Sequence, residues 1–483
     1  MTPPAIHQGA VLDGFRIGAR IHRGAMAMLW EVTHPDINLP LLLKAPVISE
    51  GADPAAIVGF EMEQMILPRL SGPHVPRFIA KGEASAQPYL VMERIPGSSL
   101  LPLLPKLPLP WPEVVSLGAR IAQALDDLHR QHLVHLDVKP SNILLRPSGE
   151  AVLVDYGLSR HDHLPDLMGE EFRLPYGTGP YMAPEQVMGC RSDSRSDLFA
   201  LGVLLYFFTT GVRPFGDPQR LSGLKRRLWR DPFPPRHHRP DCPPWLQEII
   251  LRCLEVYPAW RHPTAAQLAF DLLHPDQVKL TARSERLRRD SLLMVLRRRF
   301  NQDHVHPRGP GRMPAHAAEA PIVAVAVDLS EAAEVGAEAL RTAVRQALQS
   351  RPGARLACLN VLKQGVLTLD DTLDAEGRNK HLQRLVALRH WAEPLGLEEG
   401  WVSFHVLEAP NPATAILGYV HTNHVDHVIL GARAQSLKRT LLGSVSGEVA
   451  AHSPCTVTIV RTRRKIDRRL SEAGAGDDSW TVG

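Results

Sequence analysis

Residues 135–145 read His-Leu-Asp-Val-Lys-Pro-Ser-Asn-Ile-Leu-Leu and set three polar side chains, Asp137, Lys139 and Asn142, at fixed offsets in an otherwise apolar run. Pro140 lacks an amide hydrogen, fixes its own φ and pushes Lys139 toward an extended backbone. Neither a regular helix nor a central strand passes through such a stretch. What remains is a loop clamped between apolar segments. Its side chains are those that phosphoryl transfer requires: a carboxylate for the proton of an attacking hydroxyl, an ammonium for a transferring phosphate, and an amide oxygen for a metal.

The chain is long enough to build a scaffold around that loop. Its 483 residues predict two or three domains, and 44% hydrophobic with 22% charged residues is the balance of an ordinary soluble protein. A net charge of +4 makes no case for a nucleic-acid partner. Cys190, Cys242, Cys253, Cys358 and Cys455 are scattered, with no C-x-x-C pair, which argues against a disulfide scaffold or a zinc site. The N-terminus carries no basic-then-apolar signal, and the most apolar stretch, residues 198–208, is shorter than a bilayer span. These features predict a cytoplasmic protein with no transmembrane segment.

Further landmarks follow the loop in a telling order. Ala151-Val152-Leu153-Val154 reads as a strand ending at Asp155-Tyr156-Gly157, and Gly177-Thr178 precedes Met182-Ala183-Pro184-Glu185. Residues 192–202 then open a buried helix containing Asp197, and Pro258-Ala259-Trp260-Arg261 comes later. The loop resembles the catalytic loop of protein kinases, and a lysine two residues after the aspartate resembles the Ser/Thr branch. This resemblance implies that Asp137 is the base and that Lys139 stabilises the transferring group. Asn142 and Asp155 would hold magnesium. Thr178 would sit in the substrate loop, Asp197 would tether the catalytic loop, and Arg261 would be the buried partner of Glu185. ATP and Mg²⁺ are the implied cofactors.

Upstream, residues 11–47 alternate apolar and polar positions, a strand-rich opening. Residues 21–30 fall where kinases carry a glycine-rich loop over the ATP phosphates. Only Gly24 matches; His22 and Ala27 take the other two glycine positions, which predicts a looser lid. Lys44 ends the run Leu41-Leu42-Leu43, and a lysine in an apolar strand needs a partner. The family resemblance supplies the nucleotide phosphates and a glutamate on the next helix: Glu63, with Glu61 as the alternative. The strand ending at Met92-Glu93 would lead into the hinge that binds adenine through its backbone, with Met92 limiting the pocket behind it. Prolines at 102, 105, 108, 110 and 112 mark a rigid surface loop, and the spacing of Val114, Leu117, Ile121, Leu125 and Leu128 predicts a helix over 113–131. Kinases usually carry an arginine before the catalytic aspartate; here Leu136 stands there. The only Ser/Thr hydroxyls between Asp155 and Glu185 are Ser159 and Thr178. Activity is therefore expected to be independent of phosphorylation in that segment.

Residues 276–320 read as a basic amphipathic helix followed by a Pro/Gly-rich linker. Beyond it, apolar strands alternate with amphipathic helices, which implies a parallel doubly wound sheet. Asp328 closes the first of these strands, and Gly431 and the Gly443-Ser444 pair follow the fourth. This part, residues 321–462, resembles the universal stress protein family. Ala434 replaces a glycine of its nucleotide-binding members and the interval to Gly443 is one residue short, so both readings stay open. It is either a second nucleotide site at Asp328, Gly431, Gly443 and Ser444, or a structural domain that forms a homodimer. Residues 463–483 read as a disordered tail.

The sequence thus predicts a bilobal α+β kinase fold over 11–275, with a β-rich first lobe and a helical second lobe, followed by the α/β domain. Its expected activity is transfer of the ATP γ-phosphoryl to Ser/Thr hydroxyls of protein substrates, coupled to a stress-sensing domain. The competing reading is a pseudokinase scaffold whose degraded glycine loop no longer supports turnover.

Overall fold

Period-two alternation dictates the first sheet. In the strand Ile37–Pro46, Leu41, Leu43 and Ala45 are buried on one face while Lys44 sits between them on the other. Six strands form this sheet: β1 (Val11–Leu12), β2 (Phe15–Arg23), β3 (Ala27–His34), β4 (Ile37–Pro46), β5 (Phe78–Ala84) and β6 (Gln87–Glu93). Their order is β1-β2-β3-β4-β6-β5, and every pairing is antiparallel. Phe15, Ile17, Trp30, Val32, Leu41, Leu43, Tyr89 and Val91 fill one face. Leu90 and Met92 join the other, larger core together with helix α1 (Pro54–Ile66). The register sets Lys44 opposite Leu90 and Leu42 opposite Met92.

The computed structural model describes residues 6–24, 27–47, 54–84, 87–172, 175–218, 220–290, 295, 321–330, 334–363, 380–398, 401–432 and 444–461. The chain divides into two compact units: Met1–Ala320 with Gly365–Val386 and Leu397–His405, and Pro321–Gln364 with Ala387–Gly396 and Val406–Gly483.

The remainder of the first unit is mainly helical. β7 (Ser98–Ser99) leads through a 3₁₀ turn at Leu101–Lys106 to α2 (Trp111–Arg130). The apolar stripe Val114, Leu117, Ile121, Leu125 and Leu128 of α2 is buried along its full length, as the 3.6-residue period requires. Short strands β8 (Leu133–Val134), β9 (Ile143–Leu145), β10 (Ala151–Leu153) and β11 (Arg160–His161) frame the polar loop, with β9 between β10 and β7, and β8 paired to β11. Helices α3 (Leu167–Glu171), α4 (Pro184–Val187), α5 (Arg195–Thr210), α6 (Leu221–Lys225), α7 (Pro235–His238), α8 (Pro244–Cys253) and α9 (Ala265–Leu273) follow. α5 is buried almost all round, which explains its unbroken apolar sequence.

The predicted basic helix is absent over residues 278–290, whereas Val295, described by itself beyond that stretch, is helical. Pro275–Gln277 is a 3₁₀ turn, and residues 278–290 are irregular. Gln247 Nε2 donates to the carbonyls of Arg283, Ser284 and Arg286, the acceptors a helix would use itself. Two of its arginines are paired: Arg283 binds Glu248 and Glu255, and Arg286 binds Asp231 and Asp290. The rest of the predicted linker and the predicted disordered tail lie outside the described residues, apart from Val295.

A five-stranded sheet beyond residue 321 comprises β12 (Ile322–Ala326), β13 (Arg355–Lys363), β14 (Val402–Ala409), β15 (His427–Ala432) and β16 (Thr456–Arg461). The order is β14-β13-β12-β15-β16, with β12 parallel to both β13 and β15, and β15 parallel to β16. Helices α10 (Glu334–Gln349), α11 (Lys380–Ala392), α12 (Pro412–Thr422) and α13 (Ser444–His452) alternate with the strands. This is the doubly wound sheet that the alternation predicts, and strand order reverses beside β12.

Candidate active site

A buried lysine must find negative charge, and Lys44 finds two. Its Nζ lies 2.5 Å from Glu63 Oε2 and 2.8 Å from Asp155 Oδ1. Glu63, not its alternative Glu61, takes the ammonium. Burial alone would depress the Lys44 pKa, but the carboxylates of Asp155 and Glu63 outweigh it and hold it above its ordinary value. Burial raises the Glu63 pKa against the pull of Lys44, whereas Lys44 draws that of Asp155 down. Asp155 itself adopts φ +70°. The left-handed turn falls on the aspartate itself, and Gly157 serves close approach. A Cβ on Gly157 would sit 3.0 Å from the carbonyl oxygen of Gly59 in α1.

The polar loop closes into a ring. Asp137 Oδ2 lies 2.6 Å from Lys139 Nζ and accepts from Asn142 Nδ2 at 3.0 Å. Asp137 Oδ1 accepts from Thr178 Oγ1 at 2.8 Å, and Lys139 Nζ donates to that same hydroxyl oxygen at 3.0 Å. Both carboxylate oxygens are therefore fixed in direction. Asp197, fully buried, accepts from the amides of His135 at 2.9 Å and Leu136 at 2.8 Å. Those bonds hold Leu136 at φ +64°, a strained conformation for a leucine, and Gln186 Nε2 donates to its carbonyl at 2.9 Å. Val154 N–H donates to the Asn142 carbonyl at 3.0 Å and so ties the loop to the strand that delivers Asp155.

Arg261 meets Glu185 in a buried bidentate pair at 2.6 and 2.7 Å. Met92 is buried within β6. Glu93 is held through its side chain by Arg146, at 2.5 and 3.0 Å, so any contact it makes with a base is through its backbone. Gly24 N–H donates to the Ala27 carbonyl, and the His22 ring occupies the space beside it: a Cβ on Gly24 would meet His22 Nε2 at 3.3 Å. In the second unit Asp328 follows β12 and Gly431 lies in the neighbouring β15. Ser444 opens α13, and Gly443 lies outside the described residues.

The donor set suits magnesium. Asn142 and Asp155 offer hard oxygen ligands, and Mg²⁺ takes few from the protein, filling its shell with water and substrate phosphates. Among the described residues no group of three or more His, Cys, Asp or Glu is placed to hold a metal ion.

Comparison with known proteins decides the family. Residues 19–272 match the protein kinase domain family, more than half of the chain. The chain belongs to the protein kinase family. Residues 321–461 match the universal stress protein family. The kinase unit is similar to the serine/threonine-protein kinase PknL of Mycobacterium bovis, 31% identical over 55% of this chain and 66% of the relative. It is also similar to the serine/threonine-protein kinase pkn3 of Myxococcus xanthus, 30% identical over 57% of this chain and 51% of the relative. A probable serine/threonine-protein kinase of Clostridium perfringens is 30% identical over 44% of this chain and 31% of its own length. The chain thus spans between about a third and two thirds of these curated relatives. No described helix is long and apolar enough to cross a membrane.

Several residues of the kinase site are not visible as motifs. Thr178 is legible by resemblance as a substrate-loop residue, but not as a direct partner of Asp137. Arg227, buried in the helical lobe, donates to the carbonyls of Gly179 and Met182, and burial pulls its pKa down to about 10. It lies 48 residues from Gly179 and no spacing announces it.

Proposed function

We propose that this protein transfers the γ-phosphoryl group of ATP to Ser/Thr hydroxyls of proteins. The observation that carries the reading is the closed ring of Asp137, Lys139 and Thr178, set beside the intact Lys44–Glu63–Asp155 group. Asp137 accepts the proton of the attacking hydroxyl, and its hydrogen bonds aim it before the acceptor arrives. Lys139 holds positive charge at the place where the transferring group gains negative charge. Lys44, fixed by Glu63, positions the phosphates. Asn142 and Asp155 would hold Mg²⁺, which would supply charge neutralisation to the nucleotide phosphates.

The names of the similar kinases support Ser/Thr as the acceptor class. Catalysis by this chain, a cytoplasmic setting, and control or dimerisation through the universal stress protein domain belong to the same proposal. It is tested by incubating the purified protein with Mg²⁺, labelled ATP and a generic basic protein, then analysing the phosphoamino acids. Label on serine or threonine supports the reading; no label on either overturns it.

A further inference from the structure

The kinase unit holds residues 155–172 and 175–185 in place without an arginine beside its base. Leu136 is buried there and offers no cation. The segment's two Ser/Thr hydroxyls are already engaged: Ser159 Oγ donates to the His135 carbonyl at 3.0 Å, and Thr178 belongs to the catalytic ring. A different charge occupies the junction. Arg191, just beyond α4, donates through Nε to both oxygens of Asp166, at 2.8 and 3.1 Å, and through Nη2 to the Leu158 carbonyl at 2.9 Å. Arg160 on β11 lies 4.0 Å from the same carboxylate. Asp166 Oδ1 also accepts from Gly169 N–H and caps α3.

Gly169 is the residue that makes the cluster fit. A Cβ there would lie 2.8 Å from Asp166 Oδ2 and 3.5 Å from Arg191 Cδ. Downstream of the cap, α3 buries Leu167 and Met168 and packs on α1, the helix that carries Glu63. One carboxylate thus joins four pieces of chain: the residue after Asp155-Tyr156-Gly157, strand β11, helix α3, and the segment following Glu185.

We propose that Asp166 is the positioning residue of this kinase. It is a built-in carboxylate that does, through Arg191 and Arg160, what a phosphate paired with arginine does in a segment that must be phosphorylated to become ordered. Asp166 touches neither acceptor nor nucleotide. It acts by holding α3 against α1 and Arg191 against Leu158, which keeps Glu63 on Lys44 and Asp155 in place. The proposal rests on the phosphotransfer reading above.

The test compares full-length wild type with Asp166→Asn, Asp166→Glu, Arg191→Ala and the double variant Asp166→Asn/Arg191→Ala, with a melting curve for each as a check of folding. Asp166→Asn is expected to lower kcat by roughly 10–100-fold while the KM for ATP stays within about twofold, the pattern of misplaced rather than missing chemistry. Asp166→Glu retains most of the rate, and the double variant is no worse than Asp166→Asn alone because the two residues act as one unit. Phosphatase-treated wild type keeps its kcat. A wild-type kcat in Asp166→Asn, a loss confined to KM, additive losses in the double variant, or inactivation by phosphatase would each overturn the proposal. Should wild type prove inactive, the phosphotransfer reading fails separately and amide exchange over residues 158–172 decides. Faster exchange in Asp166→Asn than in wild type and Asp166→Glu upholds the role; equal exchange removes it.

Discussion

At the scale of single residues, the site depends on how few directions each charge can take. Thr178 Oγ1 sits between Asp137 and Lys139 and shares one hydrogen bond with each. A hydrogen bond to a charged group is worth about 1.5–3 kcal/mol, or roughly 10–100-fold in rate when it aligns the base. Thr178→Ala should lose that factor in kcat/KM, whereas Thr178→Ser, which keeps the hydroxyl, should stay within a few-fold of wild type. A steady-state comparison of the three proteins checks this; equal rates for Ala and Ser would mean that the hydroxyl aligns nothing. The same economy explains why Asp137, Lys139 and Asn142 are recognisable in the sequence: a short loop with Pro140 at its centre fixes their relative positions locally. Asp166, Arg191 and Arg227 are not recognisable, because each meets its partner across 25 or more residues of chain. Polar residues at such separations resemble ordinary surface charges until the fold brings them together.

Among the elements, the small β8–β11 pair joins the entry to the catalytic loop with the start of the segment after Asp155. His161 on β11 is buried, and its Nδ1 accepts from His163 N–H at 3.1 Å. Burial, then the nearby His163, Arg69 and His132, lower its pKa from the usual histidine value to about 4. The unfolded chain therefore binds a proton at this ring that the folded chain refuses between about pH 6.5 and 4. Stability contributed by the neutral ring is complete above that window and is lost as pH falls through it. His161→Asn keeps an acceptor but cannot titrate. Its melting temperature should fall less than that of wild type between pH 6.5 and 4, and parallel curves would contradict this. Elements such as α2, β4 and β12–β16 are legible because their apolar residues follow periods of 3.6 or 2, or run unbroken in buried parallel strands. The basic segment after residue 276 misleads, because leucine and arginine at helical spacing say nothing about Gln247 and Glu248, which claim its backbone and its charges.

For the molecule as a whole, the kinase unit does not finish with its last helix. Glu248 is buried and accepts from Thr281 and Arg283. Ending the chain at residue 275 removes both partners and uncovers the carboxylate, with loss of charge-assisted hydrogen bonds worth about 1.5–3 kcal/mol each. A protein ending at 275 should melt well below one ending at 290; equal melting temperatures would show that these pairs add nothing. The universal stress protein domain was legible as a parallel sheet from the alternation of its strands and helices, but its candidate nucleotide site depends on Gly443, outside the described residues.

The proposed phosphotransfer stands on Asp137 as its base. The most direct measurement is the initial rate of labelled phosphate transfer by full-length wild type beside Asp137→Asn, with Mg-ATP affinity measured for both. A loss of about 10²–10⁴-fold in rate is expected, with little change in affinity. Equal labelling by the two proteins would contradict it and leave a nucleotide-binding scaffold in its place.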